Sequence, residues 1–140
     1  MRVTFKVPGK PQGKGRPRFS VGRNGKHIVR SDSKTSDYES LIAMCYVQQI
    51  GKSKRMHEGP LLVTLEADYE IPKSWSKQKH QDALSGQILP TVKPDLDNVI
   101  KCLDALNGIA WHDDAQIIGI IARKRYSETG QLQIAIEEAE

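Results

Sequence analysis

The chain has 140 residues, of which 38% are hydrophobic, and its formal charge at pH 7 is +4. This length predicts one domain over residues 1–140, because it can bury one sizeable core and not two. The longest apolar stretches, residues 61–69 and 115–122, are too short to cross a bilayer, and the N-terminus lacks the apolar segment of a secretory signal. We therefore expect a soluble, cytoplasmic protein with no membrane partner.

The first half of the chain predicts a strand, a hairpin and a helix, in that order. In MRVTFKVPG, apolar residues alternate with polar ones, which is the period of a half-buried strand. FSVGRNGKHIV predicts a short hairpin that turns at Asn24 and Gly25. The helix that follows begins at Ser31 or Asp32, which can cap it, and ends at Gly51.

The second half begins with PLLVTLEADYEI, the strongest strand pattern of the sequence, and a polar helix that Ser74 can cap and that ends at Gly86. Residues 94–108, PDLDNVIKCLDALNG, then predict an amphipathic helix. Its apolar side chains recur at helical spacing: Leu96, Val99, Ile100, Leu103 and Leu106. Two further strands follow, residues 115–126 and 131–138, joined by the turn SETG.

This succession of elements mixes strands and helices without a regular strand-helix-strand alternation. It therefore favours an α+β fold, a small mixed or antiparallel sheet packed by about three helices, over a doubly wound fold. Local patterns do not fix the order of the strands. The cysteines, Cys45 and Cys102, lie at apolar helical positions without disulfide or zinc spacing, so we expect both to be reduced and packed.

Charge is distributed unevenly along the chain. Residues 1–31 contain nine Lys or Arg and no Asp or Glu, and much of that charge lies in the Gly- and Pro-rich arm KPQGKGRPRF. Such a segment is either a solvated surface or a contact for a phosphate backbone. It is not a nucleotide-binding P-loop, because its glycine spacing is wrong and Gly15, in place of Ser or Thr, follows Lys14. No nucleotide cofactor is therefore expected.

Carboxylates cluster at the start of the helix over residues 94–108 and just after it. Asp95 and Asp97 lie at its beginning, where one aspartate would be enough to cap it and where the helix dipole favours negative charge. Asp113 and Asp114 follow in WHDD, before a strand that can return them to the helix. Grouped carboxylates repel one another unless a cation lies among them. Oxygen ligands without cysteine suit Mg²⁺ or Mn²⁺, whereas the glycine and ligand positions of a calcium loop are absent.

The side chains around this cluster each have an ordinary alternative explanation. Lys101, four residues after Asp97, can stabilise a negatively charged phosphate or simply form a salt bridge with Asp97. We assign Asp104, seven residues after Asp97, to the solvated helix face. His112 is a conceivable ligand or base, but a lone loop histidine is more often only a loop residue. An acidic metal site beside a basic arm indicates a nuclease.

The stretch KPDLDNVIKCLDALNG followed by WHDDAQI resembles the signature of the RusA family of Holliday junction resolvases, small endodeoxyribonucleases of bacteria and their prophages. The core of the resemblance extends from residue 93 to residue 126, and GKPQGKGRPRF resembles the front of many members. Some members carry arginines before the acidic pair, where this chain has only a lysine. The phosphate contacts would then depend on the basic residues of the arm and that lysine: Lys10, Lys14, Arg16, Arg18 and Lys93.

The resemblance implies a Mg²⁺-dependent homodimer that binds four-way DNA junctions and nicks two opposed strands symmetrically. It implies Asp95, Asp97 and Asp114 as catalytic metal ligands, Lys101 as a catalytic lysine and Asp113 as an auxiliary acid. Two other functions stay open. One is a non-catalytic DNA-junction-binding module, in which the aspartates only cap a helix, and the other is a metal-dependent phosphohydrolase of small molecules.

Overall fold

The computed structural model describes residues 2–15, 18–30, 33–51 and 55–139, with side chains except at 18–20 and 27–30. Its elements follow the predicted order: β1 (Arg2–Pro8), β2 (Arg18–Val21), β3 (His27–Arg30), α1 (Ser33–Ile50), β4 (Leu61–Glu70), α2 (Lys77–Leu84), α3 (Leu96–Lys101), a 3₁₀ helix (Cys102–Leu106), a 3₁₀ turn (Asp114–Gln116), β5 (Ile117–Ser127) and β6 (Gln131–Glu138). Three α-helices and a four-stranded mixed sheet confirm the α+β prediction. Among the described residues, no helix is long and apolar enough to cross a membrane.

The main sheet has the strand order β1-β6-β4-β5, and β2 with β3 forms a separate hairpin. Strand β6 is antiparallel to both β1 and β4, whereas β5 is parallel to β4. Although a short turn joins β5 to β6, the two strands are not neighbours, because β4 lies between them. The burial of the strands is consistent with this order: Leu132, Ile134 and Ile136 of the inner strand β6 are almost fully buried, while Ile118 and Ile121 of the edge strand β5 are exposed.

The core lies between one face of this sheet and helix α1. The apolar residues of β1 point inward at every second position, and those of β4 do the same. The α1 side chains that meet them are Tyr38, Ile42, Cys45 and Tyr46, and Phe5 packs edge-on against Tyr46 with ring centroids 5.4 Å apart. Burying each large side chain of this kind contributes about 1.5–3 kcal/mol. Both cysteines are free thiols and buried, as expected.

A buried carboxylate fixes β5 beside β4. Asp68 of β4 accepts hydrogen bonds from Arg125 Nε at 2.7 Å, Gln131 Nε2 at 2.8 Å and Gln133 Nε2 at 2.9 Å. Burial raises the pKa of Asp68, but the hydrogen bonds from these three side chains outweigh it, so the net shift is downward. The charge is therefore retained, and it ties β5 and β6 to the strand between them.

Two predicted helix boundaries are wrong. Ser76, not Ser74, caps α2 by accepting a hydrogen bond from the Lys79 amide, because Ser74 lies inside a turn that Trp75 closes by donating to the Pro72 carbonyl. The helix predicted over residues 94–108 is α-helical only from Leu96 to Lys101 and continues as a 3₁₀ helix to Leu106. Tightening of this kind is common where helices end.

Candidate active site

The start of α3 presents Asp95 and Asp97 to solvent. Asp95 occupies the capping position, but its side chain makes no capping hydrogen bond; it accepts hydrogen bonds from Lys93 Nζ at 2.9 and 3.0 Å instead. The hydrogen bond from Lys93 lowers the pKa of Asp95. The Pro94 carbonyl just before it accepts a hydrogen bond from the Tyr69 hydroxyl at 2.9 Å, which ties this end of the helix to β4. Capping therefore does not explain the Asp95 carboxylate.

The loop after the 3₁₀ helix is held by a buried tryptophan and a glutamine. Trp111 is fully buried and donates through Nε1 to the Asn107 side chain at 2.6 Å. The Gln116 side chain accepts hydrogen bonds from the backbone amides of His112 and Asp113, and it donates to the carbonyls of His57 and Gly59. These bonds hold Asp113 and Asp114 in place.

Asp114 lies in an acidic groove of about 520 Å³ between the 3₁₀ helix and β5. Besides Asp104 and Asp114, the groove is lined by Lys101 and by apolar residues: Ile100, Leu103 and residues 117–120. Hydrogen bonding to Asp113 and then to Asp104 raises the pKa of Asp114 to about 6, while the bond from Asp114 lowers the pKa of Asp113. The carboxylates crowd one another, and a proton or a cation relieves the repulsion.

Asp104 does not simply belong to a solvated helix face, which corrects the sequence-based assignment. It accepts a hydrogen bond from Lys14 Nζ at 3.0 Å, and the same ammonium lies 3.5 Å from Glu39. The hydrogen bond to Asp104 raises the pKa of Lys14. The sequence shows only its helical spacing from Asp97 and Lys101, which does not reveal the contact with Lys14.

Lys101 does not pair with Asp97. Its Nζ lies 3.5 Å from the side-chain oxygen of Asn98, and no ion pair joins it to Asp97, although the structure describes both side chains. The salt-bridge explanation for Lys101 is therefore wrong. Its ammonium lies at the wall of the acidic groove.

The basic arm is pinned against the start of α3 and α1. The amide of Lys14 donates to the Asn98 carbonyl at 2.9 Å, and the amide of Gly15 donates to the Thr35 hydroxyl at 2.7 Å. A Cβ on Gly13 would lie 2.9 Å from the Asn98 Cβ, so only glycine permits this approach. The arm is thus fixed beside the acidic helix at residues 10–15.

A basic cleft of about 620 Å³ opens between the arm, α1 and α3. It is lined by residues 10–14, Lys34, Asp37, residues 93–95 and Asn98. Of the predicted DNA contacts, Lys10, Lys14 and Lys93 lie here; Arg16 and the side chain of Arg18 lie outside the described part of the chain. Lys34 was missed, because its position after the helix start was read only as part of a capping segment.

The candidate metal ligands are carboxylates throughout, which suits a hard divalent cation such as Mg²⁺. Within the described residues, however, no three His, Cys, Asp or Glu side chains form a group that could hold one metal ion. The structure thus gathers Asp104, Asp113 and Asp114 without joining them to Asp95 and Asp97 in such a group. His112 is exposed and lies 2.9 Å from the Glu58 carboxylate, outside this cluster.

Two comparisons with known proteins show the family of the chain. The family model described as "Endodeoxyribonuclease RusA" matches residues 8–137, which include both the acidic groove and the basic cleft. The Bacillus subtilis (strain 168) protein described as "Uncharacterized protein YqaN" is 34% identical over 139 residues. That similarity covers 97% of this chain and 96% of the relative, so the two proteins match almost end to end.

Proposed function

The chain belongs to the RusA family of endodeoxyribonucleases, and on that premise we propose that it resolves four-way DNA junctions. In this proposal a homodimer, with Mg²⁺ as cofactor and Mn²⁺ as a substitute, nicks two opposed strands symmetrically. A two-fold dimer presents two equivalent sites, which matches a substrate cut at two equivalent positions. The relative in Bacillus subtilis adds no functional assignment of its own.

One observation carries the proposal: the acidic groove and the basic cleft share a wall. Lys14 lines the basic cleft, and its ammonium donates to Asp104 in the acidic groove at 3.0 Å. A phosphate backbone held by the lysines of the cleft therefore lies next to crowded carboxylates. Neither a simple helix cap nor a simple phosphate-binding surface needs both features side by side.

We assign Asp95, Asp97 and Asp114 as the metal ligands. Support comes from their uniform oxygen chemistry and from the raised pKa of Asp114, since a cation would relieve the same crowding that a proton relieves. When bound, Mg²⁺ polarises the scissile phosphate and activates water. Asp104, which contacts Asp114 in the described structure, joins this set as an additional carboxylate.

Other residues of the chain act on the phosphate and on the proton. In this proposal Lys101, which forms no ion pair with Asp97, stabilises negative charge on the phosphate in the transition state. Asp113 is hydrogen-bonded to Asp114 and serves as the auxiliary acid. The Lys10 and Lys93 side chains neutralise flanking phosphates, and Arg16 and Arg18 are assigned the same role from the sequence.

The test is a cleavage assay on a labelled four-way junction and a linear duplex of matching sequence, with Mg²⁺ or with chelator. We expect paired nicks in the junction only, and only with metal. Asp97→Asn should abolish nicking and retain binding, whereas Asp82→Asn, on α2 outside both regions, should cut like wild type. Junction binding without cleavage by wild type would favour the binding module. Hydrolysis of small phosphate esters without junction binding would favour the phosphohydrolase.

A further inference from the structure

Strand β5 leaves an open edge on the main sheet. It has 11 residues, pairs with β4 on one side, and lies last in the strand order, so its outer edge has no partner strand within the described part of the chain. The unpaired amides and carbonyls of such an edge are a template for another strand. Natural edge strands block this with charges, proline or β-bulges. Residues 117–122, IIGIIA, carry no charge and no proline. Their one departure from a regular register is at Ile118, which lies between the partners of Leu61 and Leu62, so the edge from Gly119 onward is regular.

Exposed apolar side chains gather at the same edge. Ile118 is 66% exposed, Ile121 is 64% exposed, and Ile120 and Leu62 are 40% and 41% exposed. Four of the nine large exposed hydrophobic side chains found among the described residues therefore lie on β5 or on the adjacent part of β4. A cluster of this kind next to an open strand edge is typical of a surface that another chain covers.

The charges at the two ends of β5 are opposite in sign. Asp113 and Asp114 precede the apolar segment, and Arg123, Lys124 and Arg125 follow it. Arg125 is paired with Asp68 of its own sheet and Lys124 donates to the Val92 carbonyl, so Arg123 is the cation that carries this complementarity most directly. An antiparallel pairing of β5 with β5 of a second copy brings each acidic end opposite a basic end. A parallel pairing would set like charges against each other, which is destabilising. The strand is therefore complementary to itself in one orientation only.

We propose that β5 is the self-association surface of this protein, where two copies pair antiparallel about a two-fold axis near Ile120. The two four-stranded sheets then form one continuous eight-stranded sheet, and the apolar segments cover each other. The basic half of the second β5 lies beside Asp113 and Asp114 of the first, at the rim of the acidic groove. The interface would join two active sites in one dimer. Only this use of the interface, in paired nicking, rests on the proposed function.

The first experiment measures the mass of the full chain by sedimentation equilibrium, without DNA or metal. Wild type should sediment at twice its 15.7 kDa monomer mass. Ile118→Lys with Ile121→Lys should sediment as a monomer with an unchanged circular dichroism spectrum. Val21→Lys, at a residue 67% exposed on the separate hairpin, is the matched control and should remain a dimer. A monomeric wild type, or a dimer in the double variant, would overturn the proposal.

The second experiment tests the orientation with single cysteines and a short bismaleimide cross-linker. The native cysteines are both buried, so the introduced thiol dominates the reaction. Ile120→Cys should cross-link to its own copy, because it lies near the axis, whereas Ser127→Cys at the far end of β5 should not. Efficient cross-linking at both positions would indicate parallel pairing and overturn the proposed orientation. Cross-linking at neither position would show that β5 does not contact β5 of the second copy. Neither experiment depends on nicking, so failure of the nuclease assignment and failure of this interface are distinguishable.

Discussion

The acidic groove and the basic cleft place aspartates in opposite electrostatic surroundings. In the cleft, the hydrogen bond from Lys93 lowers the pKa of Asp95. In the groove, hydrogen bonding to Asp113 and Asp104 raises the pKa of Asp114 to about 6. The two regions thus shift the pKa of the same residue type in opposite directions, downward at Asp95 and upward at Asp114.

This difference indicates what each region is suited to bind. The cleft surrounds its carboxylates with lysines, so its net charge attracts an anion such as a phosphate. The groove concentrates carboxylates, which attract a proton or a cation. Lys14 connects the two regions, because it lines the cleft and donates a hydrogen bond to Asp104 of the groove. The two regions can therefore act on one substrate from adjacent positions.

Removing a carboxylate from the groove should have the largest effect. We expect Asp114→Asn to slow junction nicking in Mg²⁺ at least about a hundredfold, since metal stabilisation of the transition state amounts to several kcal/mol and each ~1.4 kcal/mol is tenfold. Junction binding should persist. Single-turnover nicking alongside Asp82→Asn measures this effect. Nicking at the wild-type rate would remove Asp114 from the reaction and break the distinction between the two regions.

Removing lysines from the cleft should weaken binding rather than chemistry. The double variant Lys34→Ala with Lys93→Ala should bind the junction less tightly. The slope of the logarithm of the binding constant against the logarithm of the salt concentration should also become less steep by about 0.9 for each lysine removed, because fewer counterions are released. Titrations across a salt series, with Lys77→Ala on α2 as the matched control, measure the slope. If the double variant keeps the wild-type slope, the DNA does not occupy the cleft.

The smallest effect is a pair of pH dependences of opposite sign, measured by urea unfolding in chelator. The pKa of Asp114 rises from 3.8 to about 6 on folding, so between these pH values the folded protein binds more protons than the unfolded chain. Protonated Asp114 therefore contributes stability at low pH, and this contribution is lost as the pH rises through about 6. Wild type should therefore lose stability relative to Asp114→Asn over that window, by less than about 1 kcal/mol because solvent screens exposed carboxylates.

Asp95 supplies the contrast for the same measurement. Its pKa is lowered on folding, so its contribution is present above the ordinary value of 3.8 and lost as pH falls. Wild type should lose stability relative to Asp95→Asn on acidification. Curves of the same sign for both variants would contradict the opposite surroundings that the structure gives these two aspartates.

Periodicity predicted the elements that their own sequence determines. The alternation in β1, the apolar spacing of α1 and the glycine after it located these elements within about two residues. The strand order was not predictable, because β4 separates β5 from β6 through pairings between residues far apart in sequence. The change to a 3₁₀ helix at Cys102 was missed for a similar reason, since the loop that follows is fixed by the burial of Trp111.

The candidate site shows the same limit. Motifs predicted the candidate aspartates and lysines, but Asp104 was assigned to solvent because the sequence does not reveal that Lys14 approaches it from 90 residues away. That approach depends on Gly13 packing against Asn98, a contact between the arm and α3. Lys34 was missed because the cleft that it lines is formed by three separate segments of the chain.

The most direct test of the central claim is to locate a divalent cation on the protein itself. Amide resonances of the full chain are recorded during titration with Mn²⁺, whose paramagnetism broadens nearby signals. We predict broadening centred on the assigned ligands Asp95, Asp97 and Asp114 and on the neighbouring Lys101 and Asp104, competed by excess Mg²⁺ and lost in Asp114→Asn. Broadening confined to other surfaces, or equal broadening in wild type and Asp114→Asn, would contradict the assignment of the acidic groove as the cation site.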